Sequence, residues 1–149
     1  MTLHDLRGSV VVVTFLFTKC PDACPTLTRK LIEIQRGLPR SARLPVRFLA
    51  VSVDPRNDTP SVLAEYARAV GADLRSWAFL SGPAARIAEV GRGYGIAWQG
   101  NAGGGVDHTF LTSIVDPNGR MRVQYMGSRF DPKEFRADLV TLLREGRVP

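Results

Sequence analysis

Cys20 and Cys24 are the only cysteines of the chain, and they stand together in the segment TFLFTKCPDACPTLTRK. A strongly apolar strand enters that segment and an amphipathic helix leaves it, and loops of this kind are where α/β proteins hold reactive groups. The first amides of a helix lack intrahelical acceptors and its dipole favours negative charge, so depressed cysteine pKa values are expected. Three intervening residues let both sulfurs face one way across a partly exposed first turn. Two chemistries follow. The sulfurs can close on one soft ion, Cu(I), zinc or an iron–sulfur centre, at about 2.3 Å, or they can form a disulfide where the backbone brings them close enough. A pair of small buried hydrophobes is the plain alternative, against which the flanking Pro21 and Pro25 and the loop position count. The spacing also departs from the redox motif C-x-x-C by one inserted residue, which argues against a generic disulfide oxidant.

A third ligand must come from a short list, because the chain has 2 histidines. His4 lies near the start and reads as a surface residue. His108 follows the stretch GNAGGG and precedes TFLTSIV, in the local string VDHTF. Loops at one edge of an α/β sheet converge, so a residue entering this strand can meet the start of the first helix. Beside two thiolates it completes a three-coordinate Cu(I) site, and an imidazole also helps to retain Cu(II). Asp107 either orients that imidazole or points to solvent. The competing reading of His108 is a satisfied histidine at a strand end.

The elements that must position these groups are legible from the pattern. SVVVVTFLF, residues 9–17, is apolar on both faces and β-branched, as an interior parallel strand would be. A helix is expected over about 23–36, with Pro25 in its first turn and Gly37 and Pro39 beyond its end. Val46–Val53 is a second strand joined by a right-handed crossover. Thr59 caps a helix that begins with Pro60 and ends at Gly71. Ser76–Leu80 is a short strand, and Ser81, Gly82 and Pro83 open a further helix that ends near Gly91 or Gly93. Thr109–Val115 and Arg120–Met126 are strands joined at Asn118-Gly119, a strong hairpin signal. Asp131, Pro132 and Glu134 start the last helix, with a capping box expected. The order β-α-β-α-β-α-β-β-α is the layout of a thioredoxin-like α/β sandwich.

Composition bounds the rest. With 149 residues and 44% hydrophobic content the chain is one domain with a substantial core. The formal charge of +6 is carried mostly by scattered arginines, with a modest cluster at Arg40, Arg43 and Arg47. Aromatics do not interleave with them as a stacking platform requires, so no nucleic-acid partner is expected. The longest apolar run, Val10–Phe17, is too short to span a bilayer, and no secretory signal is visible. The stretch GNAGGG reads as a flexible loop.

The segments KCPDACP, VSVDPRNDTP, DHT and VDPNG together resemble the SCO/SenC family of copper-binding proteins, in family order and over nearly the whole chain. The resemblance implies a three-layer thioredoxin-like sandwich with a mixed central sheet. It implies copper, as Cu(I) or Cu(II), held by Cys20, Cys24 and His108, and a role in building the binuclear copper centre of cytochrome c oxidase. The implied partners are the copper-site subunit of the oxidase, another copper chaperone or a thioredoxin-like reductase, close to a membrane. Asp54 falls in the acidic position of the family's DPxxDT segment, where it shapes the loop beside the site. A second role follows from the likeness to thioredoxins, with Cys20 and Cys24 as a redox pair that reduces the cysteines of the same oxidase subunit. Peroxidase chemistry ranks lower, Thr18 and Thr26 being weak substitutes for the required pattern around Cys20. The implied location is the bacterial periplasm or the outer face of the cytoplasmic membrane. The family's membrane anchor, and the β-hairpin that normally precedes its first strand, are expected to be missing from residues 1–149.

Overall fold

The structure is a computed structural model. It describes residues 1–21, 23–40, 46–96, 98–100, 106–108 and 111–146, with the description confined to the backbone at 98–100 and 106–108. After a single 3-10 turn at Leu3–Leu6 come β1 (Val10–Leu16), α1 (Ala23–Arg36), β2 (Val46–Ser52), α2 (Pro60–Val70), β3 (Trp77–Leu80) and α3 (Ala84–Gly93). They are followed by β4 (Trp98–Gly100), β5 (Val106–His108), β6 (Leu111–Val115), β7 (Met121–Met126) and α4 (Pro132–Glu145).

A five-stranded sheet runs in the order β3-β2-β1-β6-β7. β1 pairs with β2, and β2 with β3, in parallel, while β6 joins β1 and β7 joins β6 antiparallel. Every residue of β1 is buried, as an apolar strand at the centre of a mixed sheet requires. The strands divide their side chains between two layers by simple alternation. On one face, Phe48 stacks on Trp77 at 4.7 Å between ring centroids, and the Trp77 indole N–H donates to Gln35 of α1 at 2.8 Å. α4 packs beside α1 on β1. On the other face, Phe15 meets Tyr94, just beyond α3, with centroids 5.8 Å apart. This is the expected thioredoxin-like sandwich with a mixed sheet.

Local chemistry sets the boundaries. α1 buries Leu27, Leu31 and Ile34 to 3% exposure or less, each such side chain contributing about 1.5–3 kcal/mol. At α2 the Val62 amide donates to Thr59 Oγ1 (3.4 Å), Pro60 needs no acceptor, and Gly71 ends the helix at φ 76°. Asp131 caps α4 through the Lys133 amide, 2.9 Å away. The hairpin turns where Asn118-Gly119 predicts, with Gly119 at φ 84°, a left-handed conformation that costs glycine little. Sequence pattern misses the two-stranded ribbon of β4 and β5, in which Trp98 pairs with His108. Strands of three residues carry too little periodicity to be read. Residues 101–105 of the stretch read as a flexible loop lie outside the described residues, as do Thr109 and Phe110 of the expected strand and Arg43 of the basic cluster.

Candidate metal and redox site

β1 delivers the chain to the C-terminal end of the sheet at Leu16, and pairing continues one step further as the Val53 amide donates to the Leu16 carbonyl at 2.8 Å. A tight turn follows, closed by the Cys20 amide on the Phe17 carbonyl (3.2 Å). α1 then starts at Ala23, which puts Cys24 in its first turn and Cys20 just before it. The Cys24 amide donates to Cys20 Sγ at 3.3 Å, so the two residues are brought together as the spacing predicts. Both thiols are free.

Two expectations are corrected here. Both residues are buried, Cys20 to 7% and Cys24 to 1% exposure, where a partly exposed turn was expected. The Cys24 pKa is raised, not depressed: burial pushes the thiol up, and the Cys20 side chain and the charges of Cys20 and Asp58 add to this against an opposing hydrogen bond from the Phe17 backbone. Desolvation at the core end of the turn outweighs the helix dipole. Below Cys24 the Thr28 hydroxyl donates to the Cys24 carbonyl (2.8 Å) and lies 3.1 Å from the Tyr66 hydroxyl. Burial pushes that phenol up to about 12.

His108 stands at the last position of β5 and Asp107 one residue before it, while their side chains lie outside the described residues. Among the described residues no group of three or more His, Cys, Asp and Glu forms a metal cluster. His4 is exposed, as a surface histidine should be.

Asp54 organises its own loop. Its carboxylate accepts from Asn57 Nδ2 at 2.9 Å, and its carbonyl accepts the amides of Asn57 and Asp58. The carboxylate that reaches the cysteine turn is Asp58, which the motif reading passed over. It is 0% exposed. One oxygen accepts from Thr18 Oγ1 at 2.5 Å, the other from Ser52 Oγ at 2.5 Å, and the Thr18 amide donates to the pair at 3.2 and 3.4 Å. The sequence carried little signal for it: Ser52 closes β2, but Thr18 lies two residues past the end of β1 and is half-buried, and the two meet on Asp58 only through the fold.

The SCO1/SenC family profile matches residues 1–144. The chain belongs to the SCO1/SenC family. It is 33% identical over 131 residues to the mitochondrial SCO2 homolog of Bos taurus, a match covering 84% of this chain and 48% of the relative. The chain thus spans about half the length of the curated relatives it matches. Among solved structures it superimposes on Arabidopsis thaliana ScoI with copper bound at a TM-score of 0.85 and 26% identity, covering 97% of this chain and 90% of that one. It superimposes on BsSco at a TM-score of 0.81 and 27% identity, covering 97% and 85%. BsSco is described as a member of the Sco family of cytochrome c oxidase assembly proteins with a disulfide switch. No helix among the described residues is long and apolar enough to cross a membrane.

Proposed function

We propose that this chain is a copper chaperone that holds Cu(I) or Cu(II) as cargo on Cys20, Cys24 and His108 and delivers it during assembly of the binuclear copper centre of cytochrome c oxidase. The observation that carries the reading is the contact of two free thiol residues across the first turn of α1. Soft sulfur donors select Cu(I), and the imidazole of His108 is the donor that extends the set to Cu(II). The family and the copper-bound Arabidopsis relative supply the choice of copper over zinc. The partners of this reading are the copper-site subunit of the oxidase and a second copper chaperone as donor. Its location is the bacterial periplasm or the outer face of the cytoplasmic membrane. Competition titrations with Cu(I) and Cu(II) test it. The double variant Cys20→Ser/Cys24→Ser should lose both ions, and His108→Ala should lose Cu(II) most. Wild-type affinity no better than that of the double serine variant would end the reading.

A second reading is a thiol–disulfide reductase acting on the oxidase subunit, favoured by the same two free thiols and by the disulfide switch of BsSco. One thiolate attacks the partner's disulfide, the other resolves the mixed disulfide, and the partner leaves as a dithiol while Cys20 and Cys24 are oxidised. A thioredoxin-like reductase would then restore the pair. A single-cysteine variant should trap the mixed disulfide, and full activity of that variant in cells would exclude the role.

A further inference from the structure

Cys24 stands in the first turn of α1, directly before Pro25. A proline disfavours the helical conformation in the residue ahead of it, because its ring crowds that residue's amide and Cβ. Cys24 is helical nevertheless, and its backbone sets the place of both sulfurs. It carries its own thiol, and its amide donates to Cys20 Sγ at 3.3 Å. Unwinding at Cys24 would part the pair. The carbonyl of the same residue is gripped by a hydroxyl: Thr28, 1% exposed, donates its proton to it at 2.8 Å. With that proton engaged, the contact of Thr28 Oγ1 with the Tyr66 hydroxyl at 3.1 Å has the phenol as donor. Tyr66 belongs to α2, is half-buried, and meets Phe79 of β3 edge-on with ring centroids 5.9 Å apart. A side chain anchored on a second helix and on the sheet thus reaches the Cys24 peptide through one buried hydroxyl.

We propose that Tyr66 is a positioning residue of the dithiol: through Thr28 it holds Cys24 in the helical turn that Pro25 disfavours, and so sets how readily the two thiols part and release their metal. The inference deepens the copper reading above and rests on it. The turn has two states, wound with the thiols together and unwound with them apart, and only the first offers both sulfurs to one ion. Each hydrogen bond present in the wound state and broken in the unwound one lowers the population of the open turn by a few-fold. Tyr66 touches neither sulfur and acts only through Thr28. The two residues therefore form one coupled unit, and the effects of changing them do not multiply.

The test reads the exchange rate of the Cys24 amide by NMR in the metal-free protein, and the rate at which excess bathocuproine disulfonate removes Cu(I) from the loaded protein. Tyr66→Phe deletes one hydroxyl and should raise both rates about threefold. Thr28→Val should raise both about fivefold or more, since it removes both bonds of the chain. Thr28→Ser keeps the hydroxyl and should stay within about twofold of wild type. The double variant Tyr66→Phe/Thr28→Val should match Thr28→Val alone. Tyr94→Phe, on the opposite face of the sheet against Phe15, should change neither rate. A bond that only stabilises the fold would speed exchange of the deepest amides through global unfolding and leave the local opening at Cys24 unchanged. Unchanged Cys24 exchange in Tyr66→Phe overturns the proposal and leaves the copper reading standing. A double variant whose effect is the product of the two single effects overturns it as well. Faster exchange without faster release overturns the link to the metal. A wild type that takes up no copper overturns the copper reading, and the amide rates then still decide whether Tyr66 holds the turn.

Discussion

The two ends of the central sheet each carry a buried aspartate that organises a turn, and they treat its charge differently. At the hairpin end, Asp116 is 6% exposed and accepts the amides of Asn118 and Arg120 at 2.9 and 3.0 Å, with an Arg122 guanidinium nitrogen 3.3 Å away. Burial alone would raise its pKa, but those amides and the cation win and hold it below the usual carboxylate range. At the cysteine end, Asp58 has hydroxyls and one amide but no cation among the described residues. A turn that only has to hold its shape carries its counter-ion within the chain.

The largest effect that would sharpen this contrast is on folding. Asp58→Ala should destabilise the metal-free protein by about 3 kcal/mol, because it orphans the Thr18 and Ser52 donors inside the core. Asp116→Ala should cost about 1–2 kcal/mol, since water reaches the amides of a surface turn. Urea unfolding measures both, and an equal cost at the two ends would break the comparison. Thiol reactivity comes next. With its pKa raised, Cys24 should alkylate at pH 8 at least about tenfold more slowly than free cysteine, and Asp58→Asn should speed the reaction where Asp116→Asn does not. Mass spectrometry of the alkylated peptide gives the rate, and a Cys24 faster than free thiol would contradict its burial.

A smaller effect lies in acid. The lowered pKa of Asp116 means that its stabilising contribution is present in full above the unfolded carboxylate value of about 3.9 and is lost as pH falls through the lower folded value. Asp116→Asn should flatten that part of the stability profile, read from thermal unfolding between about pH 5 and about pH 2. Smallest of all, Glu145→Gln should move the melting temperature by less than about 2 °C, because its bond to Arg122 at 2.9 Å joins two exposed side chains that solvent screens.

Much of the frame was legible before any coordinates. The limits of α1 and α2 match the expected helices, with Pro60, Thr59 and Gly71 in the predicted roles, because caps and prolines act through neighbours in the chain. The hairpin at Asn118-Gly119 was legible for the same reason. The ribbon of β4 and β5 was not, since its pairing depends on partners six, eight or ten residues away with little pattern in either strand. Within the site, the adjacency of Cys20 and Cys24 follows from helical spacing, whereas the burial of both and the direction of the Cys24 shift do not. The hydrogen bonds of the loop were not legible either: Asp54 bonds within the loop, and Asp58 of the same loop reaches Thr18.

The sequence by itself determined the order of the elements outside the β4–β5 ribbon, the family and the identity of the two thiols, because these rest on local propensity and on residue types in fixed spacing. Tertiary structure alone decided that Leu16 and Ser52 end side by side, and hence that Thr18 and Ser52 converge on one carboxylate from a third segment. Strand register and burial are set by contacts between residues distant in the chain, and the electrostatic surroundings of the cysteines follow from those contacts.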